Sequence, residues 1–160
     1  MKAEKFCECV SKYRDDLYIL ALAMLRNEAD AEDAVSNAIV KAYENMEQVR
    51  AFHKFKQWML VITKNEALKI MKKRLYLPGD EVVESLAKPF RAHYDELWDI
   101  IQEMKEEYRL AVVLFYYDGL SLRDISDVLD IPVGTVKSRL NRGRMELRAA
   151  LERGNGNDQI

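Results

Sequence analysis

Ser138, Asn141, Arg142 and Met145 recur at intervals of three and four, so a helix turning about 100° per residue brings them onto one face, with Thr135 and Lys137 on its flanks. The chemistry on offer is hydrogen bonding to the edges of bases. Arg and Lys match the acceptors of guanine, and Asn matches the mixed donor and acceptor edge of adenine. Arg139, Arg144 and Arg148 fall further round, where phosphate contacts are more natural. The opposite side carries Val133, Val136, Leu140 and Leu147. Charge supports this division. Pro132 to Arg153 holds six basic residues and two acids, net +4, while Asp95 to Asp130 holds ten acids and three bases, net -7. The formal charge of -2 for the whole chain conceals both, and local charge decides where a phosphate docks.

The elements that must position this face can be read just upstream. Leu110 to Tyr117 is strongly apolar and ends at Gly119, a natural left-handed stop. Ser121-Leu-Arg-Asp124 opens a short capped helix that presents Leu122, Ile125 and Leu129. Asp130-Ile-Pro132 turns the chain, with the proline in the first turn of the basic helix. A short capped helix, a tight turn and a longer basic helix with matching apolar faces make a helix-turn-helix. The last helix is expected to end near Arg153, leaving residues 154–160 as a disordered tail.

A second basic and aromatic set lies in the N-terminal half. Lys54, Lys56, Lys64, Lys69, Lys72, Lys73 and Arg74 supply phosphate-binding charge, and Phe52, His53 and Trp58 could stack on unpaired bases. For Phe55 and Trp58 a place in the core is the plainer reading. Three helices are expected to carry this set. The first, Phe6 to Leu25, has an apolar face of Phe6, Val10, Tyr13, Leu17, Leu20 and Met24. The second opens at Asp30, read as its cap, and turns Val35, Ile39, Ala42, Tyr43 and Met46 inward. The third, Phe55 to about Leu75, turns in Phe55, Trp58, Ile62, Leu68 and Met71. Leu77-Pro-Gly-Asp80 and the mixed stretch containing Pro89 break the pattern. The fold class is therefore all-α, as two small helical domains, 1–76 and 94–153, joined by a flexible linker, 77–93.

Composition removes other classes. No apolar run approaches the roughly 20 residues of a membrane span, and Met1 to Val10 lacks the pattern of a signal peptide; a cytoplasmic protein without membrane insertion is expected. Cys7 and Cys9 have no second pair or His cluster to complete a zinc site and read as reduced thiols. His53 and His93 are isolated, and no Gly-rich phosphate loop or nucleophile elbow is present. Neither metal, cofactor, small-molecule substrate nor catalytic residue is expected.

The wording of the segments is more specific than their chemistry. Gly119 to Arg148, and above all Ile131-Pro-Val-Gly-Thr-Val-Lys-Ser-Arg-Leu140, closely resembles region four of extracytoplasmic-function RNA polymerase sigma factors. Asp30-Ala-Glu-Asp-Ala-Val35 with Val40-Lys-Ala-Tyr43, and Phe55-x-x-Trp58 with Ile62-Thr-Lys-Asn65, resemble region two of the same family. The resemblance implies a protein that binds core RNA polymerase and promoter DNA, and that answers to an anti-sigma factor. It implies that Thr135, Lys137, Ser138, Arg139, Asn141, Arg142 and Arg144 meet the minus-thirty-five element. Arg50, Phe52, His53, Lys54, Lys64 and Asn65 would meet the minus-ten element, where melting traps a base outside the stack. Asp30, Glu32, Asp33, Asn37 and Lys41 would meet the polymerase. Ser36-Asn37 stands where the family often has Gln-Glu, and Lys69 where it often has Asp. The alternative is a stand-alone helix-turn-helix regulator, which would dimerise to match paired half-sites.

Overall fold

The computed structural model describes residues 1–76 and 96–157, and those residues are helical almost throughout. The chain divides into two compact units, Met1–Pro89 and Phe90–Ile160. The expected linker, 77–93, lies outside the described residues.

The first unit packs three long helices, α1 (Ala3–Leu25), α2 (Glu28–Glu44) and α3 (Phe55–Tyr76), with two short 3-10 turns at Met46–Gln48 and Phe52–Lys54. α1 stops where Arg26 takes a left-handed conformation (φ 54°) and donates its N–H to the Leu22 carbonyl. One residue later Asn27 starts α2, its side chain accepting from the Asp30 N–H at 2.9 Å. The cap is therefore Asn27 and not Asp30. Asn27 adopts the extended backbone a cap requires, whereas Asp30 already lies inside the helix.

The buried face of α2 is a stripe of small residues, Ala31, Ala34, Ala38 and Ala42, with Val35 beside it. This corrects the expected inward set. Ile39 and Met46 are half-buried and Tyr43 is exposed, its ring edge-on to Phe6 at 5.5 Å. Small side chains let α2 lie close to its neighbours, so the larger apolar residues are pushed to the rim. Phe6, Leu17 and Leu20 of α1 and Phe55, Met59 and Leu60 of α3 fill the remaining core. On α3, Leu68 is exposed and Trp58, Ile62 and Met71 are half-buried, so among the five expected residues Phe55 is the core anchor. Buried Thr63 returns its hydroxyl to the Met59 carbonyl at 2.9 Å, which satisfies it inside the helix.

The second unit holds α4 (Glu96–Glu103), α5 (Glu106–Val112), its π-helical continuation Val113–Tyr117, α6 (Leu122–Leu129) and α7 (Val133–Asn157). Arg109 is buried and donates to the carbonyls of Met104 (2.9 Å) and Gln102 (3.3 Å). A cation over the last carbonyls of α4 suits the negative end of that helix. Gly119 takes φ 68°, as expected of a left-handed stop. α7 runs to Asn157, past the expected end at Arg153, so residues 154–157 are helical and not a disordered tail. No proline interrupts them, and adding residues to a formed helix avoids the cost of nucleation.

Candidate nucleic-acid interface

The helix-turn-helix forms as its punctuation requires. Ser121 accepts the Asp124 N–H at 3.1 Å and caps α6. Asp130 closes α6 in the left-handed region (φ 55°). The turn is braced by the Ser126 hydroxyl, which donates to the Ile131 carbonyl at 2.5 Å. Pro132 precedes α7 and its carbonyl accepts from Val136. It thus stands at the cap, one residue before its expected place in the first turn.

Val136 and Leu140 of α7 are buried, as are Ile125 and Val128 of α6, while Leu122, Leu129 and Leu147 are half-buried. Val133 is exposed instead of joining this face, and the periodicity overlooked Val128. The seat of α7 also includes a glycine. Gly143 is buried, and a Cβ there would meet Val112 at 2.6 Å and Met104 at 3.2 Å. Its lack of a side chain brings α7 down onto α5.

With that face fixed, Lys137, Ser138, Asn141, Arg142 and Met145 are exposed, and Thr135 is half-buried at the edge. Ser138 donates to the Gly134 carbonyl at 3.1 Å, which leaves its lone pairs outward. Two of the three arginines further round, Arg139 and Arg144, are engaged. Arg139 lies 3.7 Å from Glu107. The hydrogen bond from Lys105 holds the Glu107 carboxyl below its ordinary pKa, with the charges of Lys105 and Arg139 adding to the effect against desolvation. Arg144 donates to the Tyr116 hydroxyl at 2.6 Å and to the Asn141 side-chain oxygen at 3.3 Å.

In the first unit, Arg50, Phe52, His53, Lys54 and Asn65 are exposed and Lys64 is half-buried. All but Arg50 lie on the Phe52–Lys54 turn or on α3. The Phe52 ring carries the Lys5 ammonium 4.9 Å from its centroid, a cation from α1 that basic clustering along α3 did not reveal. Trp58 leans on Phe55, ring centroids 5.9 Å apart. Three of the bases expected to supply phosphate-binding charge are committed within the fold. Lys56 pairs with Asp16 at 3.3 Å and Lys69 with Glu66 at 3.1 Å. Arg74 pairs with Asp30 and also donates to the Leu25 carbonyl at 3.1 Å.

Asp30, which shares a face of α2 with Asp33, Asn37 and Lys41, is held in the fold by Arg74. Glu32, Asp33, Asn37 and Lys41 share the exposed side of α2 with Ser36, Val40 and Tyr43. Val40 is 60% exposed, an apolar element in that face which its place off the alanine stripe betrays. Lys41 is held by Glu66 at 3.4 Å. Burial alone would raise the Glu66 carboxyl. Lys69 and Lys41 together outweigh burial and hold it below its ordinary pKa.

Among the described residues no cluster of His, Cys, Asp or Glu could hold a metal, and no helix is long and apolar enough to cross a membrane.

Comparison with known proteins covers both units. Residues 9–75 match the family model of sigma-70 region 2, and residues 94–147 that of sigma-70 region 4. The chain is 35% identical to the ECF RNA polymerase sigma factor SigW of Bacillus subtilis, over 92% of this chain and 89% of that one. It is 30% identical to the RNA polymerase sigma-H factor of Pseudomonas aeruginosa, over 89% and 84%. Among solved structures, the sigma factor RpoE in complex with the anti-sigma factor NepR from Bartonella quintana superposes with a TM-score of 0.76. The two are 22% identical, with 94% of this chain and 98% of that one covered. CnrH in complex with the cytosolic domain of CnrY gives a TM-score of 0.72 at 20% identity, covering 94% and 90%.

Proposed function

The chain belongs to the extracytoplasmic-function RNA polymerase sigma factors of the sigma-70 family, and on that premise we propose how its residues divide the work of promoter-specific initiation. The domains are 1–76 and 94–153, with 77–93 as the linker. The first binds core polymerase through Glu32, Asp33, Asn37, Val40 and Lys41 on the open side of α2. It receives the melted minus-ten strand on Arg50, Phe52, His53, Lys54, Lys64 and Asn65, where an exposed aromatic among cations suits a base out of the stack. The second reads the minus-thirty-five element with Lys137, Ser138, Asn141 and Arg142, flanked by Thr135 and Arg139.

One observation supports the reading most. The four proposed readers are exposed on α7 directly behind a face that Val136, Leu140 and Gly143 bury. Bond making belongs to the polymerase, and no residue of this chain is assigned a catalytic role. The chain works in the cytoplasm, and an anti-sigma factor is its expected regulator. The regulator alternative is disfavoured because family similarity spans both halves, including the half that a stand-alone DNA reader would not need.

Permanganate footprinting tests the reading. Core polymerase with the full chain should expose unpaired thymines at the minus-ten element of a cognate duplex promoter, and Phe52→Ala should reduce that exposure while the holoenzyme still assembles. A footprint unchanged by Phe52→Ala would remove this loop from the melting site.

A further inference from the structure

Gly134 has no steric reason to be a glycine within its own fold. It lies in the first turn of α7 and is exposed, and a Cβ built there would meet nothing within 4 Å. Its backbone is helical, so the freedom of glycine is not used and helix propensity favours alanine. Gly143 of the same helix is the opposite case, kept bare by Val112 and Met104. Gly154 is as open as Gly134, but it stands in the last turn, beyond the proposed readers.

Position says what the bare site faces. At 100° per residue from buried Val136, Leu140 and Gly143, Gly134 falls on the opposite side of α7 with Ser138, Asn141 and Met145. The Ser138 hydroxyl folds back onto the Gly134 carbonyl at 3.1 Å, so this end of the face is low. Charge is withheld there as well. The first turns of α1, α2, α4, α5 and α6 each carry an acid, which suits the positive end of a helix. That of α7 carries none, like that of α3 beside the proposed minus-ten site. A side chain on this turn would hold a DNA duplex off, and an acid would repel its phosphates.

We propose that Gly134 is the point of closest approach between α7 and the minus-thirty-five duplex, its missing side chain letting the first turn sit deep in the major groove. This rests on the reading of the second unit as the minus-thirty-five reader. Depth is what the short side chains of Ser138 and Asn141 need, because they reach base edges only when the helix axis lies close to them.

The test uses holoenzyme carrying Gly134→Ala or Gly134→Leu, in transcription from a duplex promoter with both elements and from the same promoter with an altered minus-thirty-five element. Thermal melts of each full chain accompany it. Gly134→Ala should melt no lower than the unaltered chain, since its side chain enters open space and helix propensity improves. It should cut the advantage of the intact minus-thirty-five element about tenfold, and Gly134→Leu should cut it further, with output from the altered promoter unchanged. An advantage kept in full by both variants would overturn the proposal alone. A melting temperature lowered by Gly134→Ala would also overturn it, by making the glycine a requirement of the fold. If the intact element gives the unaltered protein no advantage, the reading of the second unit fails and the proposal with it.

Discussion

Gly143 of α7 lies so close to Val112 of α5 that a Cβ on the glycine would stand 2.6 Å from the Val112 methyl. That approach fixes the height at which the recognition helix sits on its scaffold. Gly143→Ala gains up to about 1 kcal/mol in helix propensity. It also forces apart a fully buried, β-branched neighbour and the Met104 methyl at 3.2 Å, an overpacking cost of roughly 1–3 kcal/mol. The cost should win. Thermal melts should show a net loss of about 1 kcal/mol in the second unit, partly recovered by Val112→Ala in the same chain. A stabilised Gly143→Ala would mean that the helices separate freely.

The cap of α2 gives a ranked pair of substitutions. Asn27→Ala removes the acceptor for the Asp30 N–H and should cost about 1 kcal/mol. Asp30→Ala removes a partly exposed ion pair with Arg74 and should cost less than about 1 kcal/mol. Denaturant titration of both variants measures the order, and a larger loss for Asp30→Ala would show that the ion pair with Arg74 outweighs the Asn27 cap.

Glu66 supplies a pH test. Its folded-state pKa lies below the ordinary value of 4.5 because Lys69 and Lys41 outweigh burial. A depressed carboxyl adds stability above its unfolded pKa and loses it as pH falls through the folded one. Glu66→Gln should therefore be less stable than the unaltered chain at neutral pH, and the gap should close as pH drops below about 4.5. Unfolding curves at a series of pH values measure the gap. A gap that persists unchanged in acid would show that Glu66 acts by shape and not by charge.

The C-terminal half was largely legible because its signals are local. A cap at Ser121, a stop at Gly119 and alternate faces on α7 each depend on residues a few places apart. Packing between helices was not legible. Nothing near Gly143 in sequence points to Val112, and the alanine stripe of α2 was hidden behind larger residues that periodicity favours. Charge was legible as a total and not as an allocation. Arg74, Lys56 and Lys69 read as phosphate-binding until the fold supplies Asp30, Asp16 and Glu66 as partners. Arg144 read the same way because Tyr116 is 28 residues distant.

Arg142 and Arg148 separate two kinds of DNA contact on α7, where both are exposed. Arg142 stands beside Asn141 among the proposed readers, and a good base contact is worth about 1–3 kcal/mol of discrimination. Arg142→Ala should narrow the gap between cognate and altered minus-thirty-five elements. Arg148→Ala should weaken all of them by a similar factor and flatten the salt dependence. Promoter strength across the library at two salt concentrations checks both, and a reversed pattern would reject the docking orientation.

Run-off transcription by purified core polymerase, with and without the full chain, tests most directly whether the chain directs promoter-specific initiation. With the chain present, transcripts should start at a fixed distance from paired minus-thirty-five and minus-ten elements, and altering either element should abolish them. Core alone should give no such product. A chain that left core output unchanged and instead bound duplex DNA tightly by itself as a dimer would be a stand-alone regulator and not a sigma factor.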